Sequence, residues 1–175
     1  MDATVNKFRW FWAWDDEKEE EWLGEMSSKG LHLVSVRFPG VYKFDSGKPG
    51  DYVYRLDYQT FYKKDREEYL QLFRDAGWEY LGQMAAWQYF RKEAKQGETP
   101  EIFTDNDSKI AKYRRVVSYI CFFYIFLGIL LWSQIAAYSA RESSYAFIII
   151  IAAVLAFMTY AVIRLIMRMK KLLKI

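Results

Sequence analysis

Over the first 92 residues, apolar and polar positions change places on two different periods. Short runs alternate every second residue, as half-buried strands do, and two longer runs repeat every three to four residues, as amphipathic helices do. The first alternating run, Lys7 to Trp14, reads as a strand that puts Trp10, Trp12 and Trp14 on one face and Arg9, Phe11 and Ala13 on the other. Asp15 or Asp16 then caps a helix whose opening turns, D-D-E-K-E-E-E, set acids at the positive end of the helix dipole. The simplest reading of that acid run is a solvated face. Trp22, Leu23 and Met26 supply its apolar stripe, and Gly30 stops it. Strands are expected at Leu31 to Arg37 and Val41 to Phe44, joined by a turn at Pro39-Gly40.

After the loop S-G-K-P-G the pattern restarts. A strand is expected at Tyr52 to Tyr58, a helix from about Asp65 to Ala76 closed by Gly77, and strands at Trp78 to Leu81 and Trp87 to Arg91. At an offset of 47, Glu20, Glu21, Trp22, Leu23, Met26, Gly30, Leu31 and Leu33 meet Glu67, Glu68, Tyr69, Leu70, Phe73, Gly77, Trp78 and Tyr80. Residues 1–92 are therefore expected to form a duplicated α+β head of two strand-helix-strand-strand units, packed as one antiparallel sheet system with both helices on a face. Residues 93–107 are polar, contain Gly97 and Pro100, and read as a linker.

Beyond residue 107 the periodicity gives way to continuous apolarity. Val116 to Ala137 holds no charge for 22 residues, enough helix to span roughly 33 Å, and Ala146 to Ile163 adds a second uncharged run of 18. The expectation is a two-helix transmembrane hairpin, with its first helix over 108–138, an outer loop over 139–145 in which Arg141 and Glu142 cancel, and its second helix with a basic tail over 146–175. Lys112, Arg114 and Arg115 precede the first crossing, and Arg164, Arg168, Lys170 and Lys171 follow the second. Positive flanks stay inside, which predicts a two-pass protein of the cell membrane with both termini and the head cytoplasmic. Neither crossing contains Asp, Glu, Lys, Arg or His, which argues against a transport pathway built from this chain alone. Gly128 and the alanines of both helices suit close packing within the hairpin or in a homo-oligomer.

Charge sharpens this division. Residues 1–115 carry a net −2 and residues 116–175 a net +5, together the +3 of the whole chain, so the basic excess belongs beside a bilayer rather than on a nucleic-acid surface. The single cysteine, Cys121, can form no internal disulfide, and the single histidine, His32, can found no histidine cluster, so no metal and no cofactor is expected. No nucleophile elbow or phosphate-binding glycine loop is present. A general acid/base pair would have to come from folded proximity among Asp45, Asp51, Asp57 or Glu79, and no catalytic residue is expected. The aromatic content of the head, 19% of the whole chain being Phe, Trp or Tyr, leaves two uses for these rings. They fill a core, the leading explanation in so small a head, or they line a pocket for an apolar or cationic ligand. Trp10, Trp12, Trp14, Trp22, Trp78, Trp87 and Tyr89 are the candidate ligand or partner residues.

The motifs E-E-E-W-L-G-E-M-S-S-K-G-L-H-L, Y-K-F, D-Y-V-Y-R-L-D-Y, E-Y-L-Q-L-F-R-D-A-G-W-E-Y and W-Q-Y-F-R-K cover most of residues 7 to 92. On them the chain resembles a bacterial domain-of-unknown-function family, mostly from Firmicutes, with a cytoplasmic head before two membrane helices and often encoded beside PadR-type regulators. The resemblance implies a regulatory or stress-response role and carries over no catalytic residue. The tandem units are also similar in pattern to ligand-binding regulator domains of the GyrI-like type, an analogy of fold alone. The functional expectation is a non-enzymatic membrane regulator or sensor whose head binds a protein, such as a PadR-type regulator, or a small apolar ligand. The alternative is an accessory subunit of a larger membrane complex such as a transporter.

Overall fold

The computed structural model describes residues 4–60, 63–94, 100–102, 106–139 and 145–173. The chain divides into two compact units, Met1–Asp105 and Asn106–Ile175. In the first, β1 (Thr4–Phe8), α1 (Asp16–Ser28), β2 (Leu31–Arg37) and β3 (Val41–Ser46) are followed by β4 (Tyr52–Tyr58), α2 (Lys63–Asp75), β5 (Glu79–Met84) and β6 (Trp87–Glu93). The duplication is therefore structural. It extends to strand order, β1-β3-β2 in one antiparallel sheet and β4-β6-β5 in the other.

Detail repeats as well as topology. The β2–β3 register shifts between Leu33 and Ser35, and the β5–β6 register shifts between Tyr80 and Gly82, the same positions 47 residues on. Both helices hand over to their next strand through a glycine in the left-handed region, Gly30 at φ 79° and Gly77 at φ 80°, a conformation that costs other residues a clash at Cβ. Trp78 N–H then closes the second of these ends by donating to Phe73 O at 2.9 Å.

Two expectations need correction. The strands form two three-stranded hydrogen-bonded sheets, β2 of the first lying beside β5 of the second, rather than one continuous sheet, and the helices do not share a face. Helix α1 lies against β2 of its own unit and β4 of the other, and its core draws on both: Trp22, Leu23 and Met26 pack with Leu33, Tyr42 and Phe44 and with Tyr54, Leu56 and Tyr89. Helix α2 covers the opposite face of the second sheet with Leu70 and Phe73 on Trp78 and Phe90. The second sheet is thus buried on both faces, and Gln88, Tyr89 and Phe90 are buried in succession.

The first strand is the other correction. It ends at Phe8, six residues before Trp14, so the tryptophans share no strand face. Arg9 N–H donates to Gly40 O at 3.0 Å, and the chain then bends away to a turn where Asp15 N–H reaches Trp12 O at 2.8 Å. Trp14 is buried while Trp10 and Trp12 stay 47% and 42% exposed. Phe11, expected on the opposite face, packs on the core against Trp22 and Tyr42.

Described parts of the expected linker lie against the head: Arg55 pairs with Glu101 at 2.7 Å, and Ile102 packs on the α2 cluster. The second unit holds α3 (Asn106–Ser139) and α4 (Tyr145–Leu172). They run antiparallel, with Asn106 Nδ2 donating to Leu172 O at 3.1 Å, the Arg168 guanidinium 5.2 Å from the Tyr113 ring centre, and Thr159 beside Tyr124. Both are long and apolar enough to cross a membrane. Only 6% and 11% of their most apolar windows are buried, unlike the core helices of a soluble protein. Of the expected outer loop over 139–145, Ser139 ends α3 and Tyr145 begins α4, and residues 140–144, with Arg141 and Glu142, lie outside the described residues.

Candidate functional site

Helix α1 carries acids at 16, 19 and 20, the spacing that continues its Leu23–Met26–Ser27 stripe, so these side chains turn inward while Glu17, Lys18 and Glu21 face solvent. The expected solvated acidic face is thereby corrected: Asp15, Asp16, Glu19 and Glu20 are all buried. Asp15 occupies the N-cap position without a capping side-chain bond and pairs with Lys18 at 2.6 Å instead.

Glu19 is the focus. It is 5% exposed, and the hydroxyls of Tyr42, from β3, and Tyr89, from β6, both donate to its Oε1 at 2.6 Å. One carboxylate oxygen thus ties the two repeats together, while Oε2 makes no hydrogen bond to any described residue. Burial pushes the Glu19 carboxyl above its ordinary pKa, against the two tyrosine bonds, and the neighbouring charge of Asp16 adds to the rise. Burial and the Glu19 charge push both tyrosines up, so they remain protonated donors at neutral pH.

Above this cluster opens a cavity of about 260 Å³. Its acidic wall is Asp16 and Glu19. Its apolar walls are Trp10, Phe11 and Trp12 from the segment after β1, Phe38 and Pro39 from the β2–β3 turn, and Met84 and Trp87 from the β5–β6 hairpin. Trp12 sits edge-on to Trp10 at 5.4 Å and stacks on the buried Trp14 at 5.5 Å. Arg9 stands at the rim with its guanidinium 5.0 Å from the Phe11 ring centre and 5.1 Å from that of Trp22. Both repeats contribute, so the duplication positions the site.

Of the seven expected aromatic candidates, Trp10, Trp12 and Trp87 line this cavity, and Tyr89 lies beneath it through Glu19. Trp14, Trp22 and Trp78 are buried elsewhere in the head; Trp78 belongs to the α2 core with Lys92 Nζ 5.8 Å from its ring centre. Asp16, Glu19 and Tyr42 were not among the candidates. The signal for them is the continuation of the apolar stripe by acids at helical spacing. Of the four other carboxylates considered, three have side-chain partners: Asp45 accepts from Thr4, Asp57 from Tyr69, and Glu79 pairs with Arg91, while Asp51 contributes its backbone oxygen to Ala94 N–H. His32 is structural, its Nδ1 2.7 Å from Ser27 Oγ and its Nε2 donating to Lys48 O at 2.8 Å, which ties the loop after β3 to α1. Among the described residues no group of three His, Cys, Asp or Glu side chains is placed to hold a metal ion.

In the second unit, the antiparallel pairing gathers the basic flanks at one end of the hairpin. Lys112, Arg114 and Arg115 stand near the start of α3, and Arg164, Arg168, Lys170 and Lys171 near the end of α4. Lys112 is buried, with Nζ 5.0 Å from the Tyr113 ring centre.

One family model, described as a protein of unknown function (DUF2812), matches residues 15–125. No curated protein and no solved structure matches the chain.

Proposed function

The chain belongs to this DUF2812 family of unknown function, which assigns it no activity, and we propose from the geometry that it is a two-pass membrane receptor whose cytoplasmic head binds a small, largely apolar ligand. The observation that carries the reading is the aromatic cavity. Trp10 and Trp12 remain about half exposed beside a deep, buried floor, whereas rings recruited only for a core would be covered. Helices α3 and α4 are long and apolar enough to cross the bilayer, and their shared basic end favours the cytoplasmic side. The tether keeps the head where amphiphilic compounds concentrate, and the role is regulatory rather than enzymatic. Ligand occupancy is reported to a protein partner; the PadR-type regulator implied by the resemblance is the first to test.

The full chain reconstituted in phosphatidylcholine vesicles tests this by tryptophan emission. Soluble aromatic probes of fewer than about a dozen heavy atoms should give a saturable change. Trp12→Ala should weaken binding about tenfold, in line with loss of a central aromatic contact, and Leu72→Ala, on the exposed face of α2, should leave it intact. A linear, unsaturable response in the unaltered chain, the mark of partition into lipid alone, would remove the basis of the proposal.

A further inference from the structure

Resting on the reading of this cavity as a ligand site, we propose that its ligand is an organic cation bearing an aromatic or branched apolar group, with the open Oε2 of Glu19 as counter-charge. Three features converge. The first is the asymmetry of Glu19, whose Oε1 accepts both tyrosine hydroxyls while Oε2 has no hydrogen-bond partner among the described residues, although the side chain lines the cavity. A neutral ligand without a hydrogen-bond donor would seal that oxygen from water without replacing its lost hydration, whereas a cation sets an opposite charge against the ionised carboxylate. The second is the wall. Trp10, Trp12, Trp87 and Phe38 border the space, and the negative faces of such rings favour a cation that has shed its water. Arg9 already uses that attraction at the rim, over Phe11 and Trp22.

The third feature is the charge balance. The charged groups lining the cavity are Arg9, Asp16 and Glu19, a net −1 when both carboxylates are ionised, which disfavours an anion. An acid–aromatic cavity of about 260 Å³ suits a compact quaternary or tertiary ammonium and is too small for a lipid or a peptide helix.

The assignment predicts how affinity follows pH. Groups facing Glu19 are Tyr42 on β3, Tyr89 on β6 and Asp16 on its own helix, and Arg9 lines the same cavity. The tyrosines, pushed up, stay neutral. Burial raises the Glu19 pKa, so in the window just above the ordinary carboxylate range part of the free protein holds a proton there. A cation must displace that proton to solvent, so its affinity rises with pH until Glu19 is fully ionised and then levels off.

The test compares benzyltrimethylammonium with 2-methyl-1-phenylpropan-2-ol, a near-isosteric neutral alcohol, on the full chain in phosphatidylcholine vesicles. The cation should bind about tenfold more tightly. Glu19→Gln keeps an acceptor for both tyrosines and should abolish that preference by lowering the affinity for the cation about tenfold. The pH profile of the unaltered chain is the second readout and needs no variant. Equal affinities for the two probes, or a cation affinity independent of pH and of Glu19→Gln, overturn the cation assignment and leave an apolar site standing. Binding of neither probe overturns the assignment and the ligand-site reading together.

Discussion

Phe90→Ala is expected to bring the head close to unfolding. Phe90 is fully buried on β6, stacked on Phe73 of α2 at 4.2 Å between centroids and flanked by Tyr69 and Tyr80 at 6.0 and 5.5 Å. It is the fully buried centre of the cluster by which Leu70 and Phe73 hold α2 on the second sheet. Truncating a buried phenylalanine costs about 3–5 kcal/mol in transfer and cavity terms together. Domains of this size have about 5–15 kcal/mol in all, so the loss approaches the lower end of the whole. Chemical denaturation of the full chain, followed by tryptophan emission, should show a midpoint shifted strongly toward zero denaturant. A shift equivalent to less than about 1 kcal/mol would mean that α2 is not held as described.

Glu20→Ala comes second, at about 3 kcal/mol, by a different mechanism. Glu20 Oε1 accepts from Leu56 N–H at 2.8 Å, and Oε2 lies 3.5 Å from Arg55 Nη1. Strand β4 is an edge of its sheet, so its outward N–H has no strand partner, and an acid from α1 of the other repeat takes that place. Removing the acid strands a buried donor, at about 1–3 kcal/mol, and weakens the compensation of a mostly buried guanidinium that retains Glu101. Glu20→Gln keeps the acceptor and should recover about half the loss. Equal melting of both variants would show that the charge, not the bond to Leu56, is what matters.

The contrast between these two residues explains what was legible in the sequence. Phe90 sits in a short aromatic run after a turn, which reads as a strand whichever face each ring takes; the repeat at offset 47 extends to the bulges because each unit solves the same packing problem. The glycines at 30 and 77 were legible for the same reason, since a left-handed helix end admits few alternatives. The inward acids were not. Composition reads a run such as D-D-E-K-E-E-E as solvated. Its burial depends on partners far along the chain, Tyr42, Leu56 and Tyr89, which local pattern does not encode. The tryptophans failed for a related reason. A spacing of two is shared by strands and by irregular segments, and the bond from Arg9 N–H to Gly40 O marks where the strand stops without any change in the sequence pattern. The two long apolar helices were legible because uninterrupted apolarity over that length is itself the signal.

The central claim is that the Trp10–Trp12–Trp87 cavity above Glu19 holds a ligand. The most direct test is fluorine NMR of the full chain in lipid nanodiscs, with every tryptophan replaced by 5-fluorotryptophan and the resonances assigned by single Trp→Phe variants. On saturation with benzyltrimethylammonium or the neutral alcohol, the account predicts that the signals of Trp10, Trp12 and Trp87 move together while those of Trp78, in the α2 core, and Trp132, on α3, stay in place. Movement of Trp132 alone, or of none of the three cavity tryptophans, would contradict it.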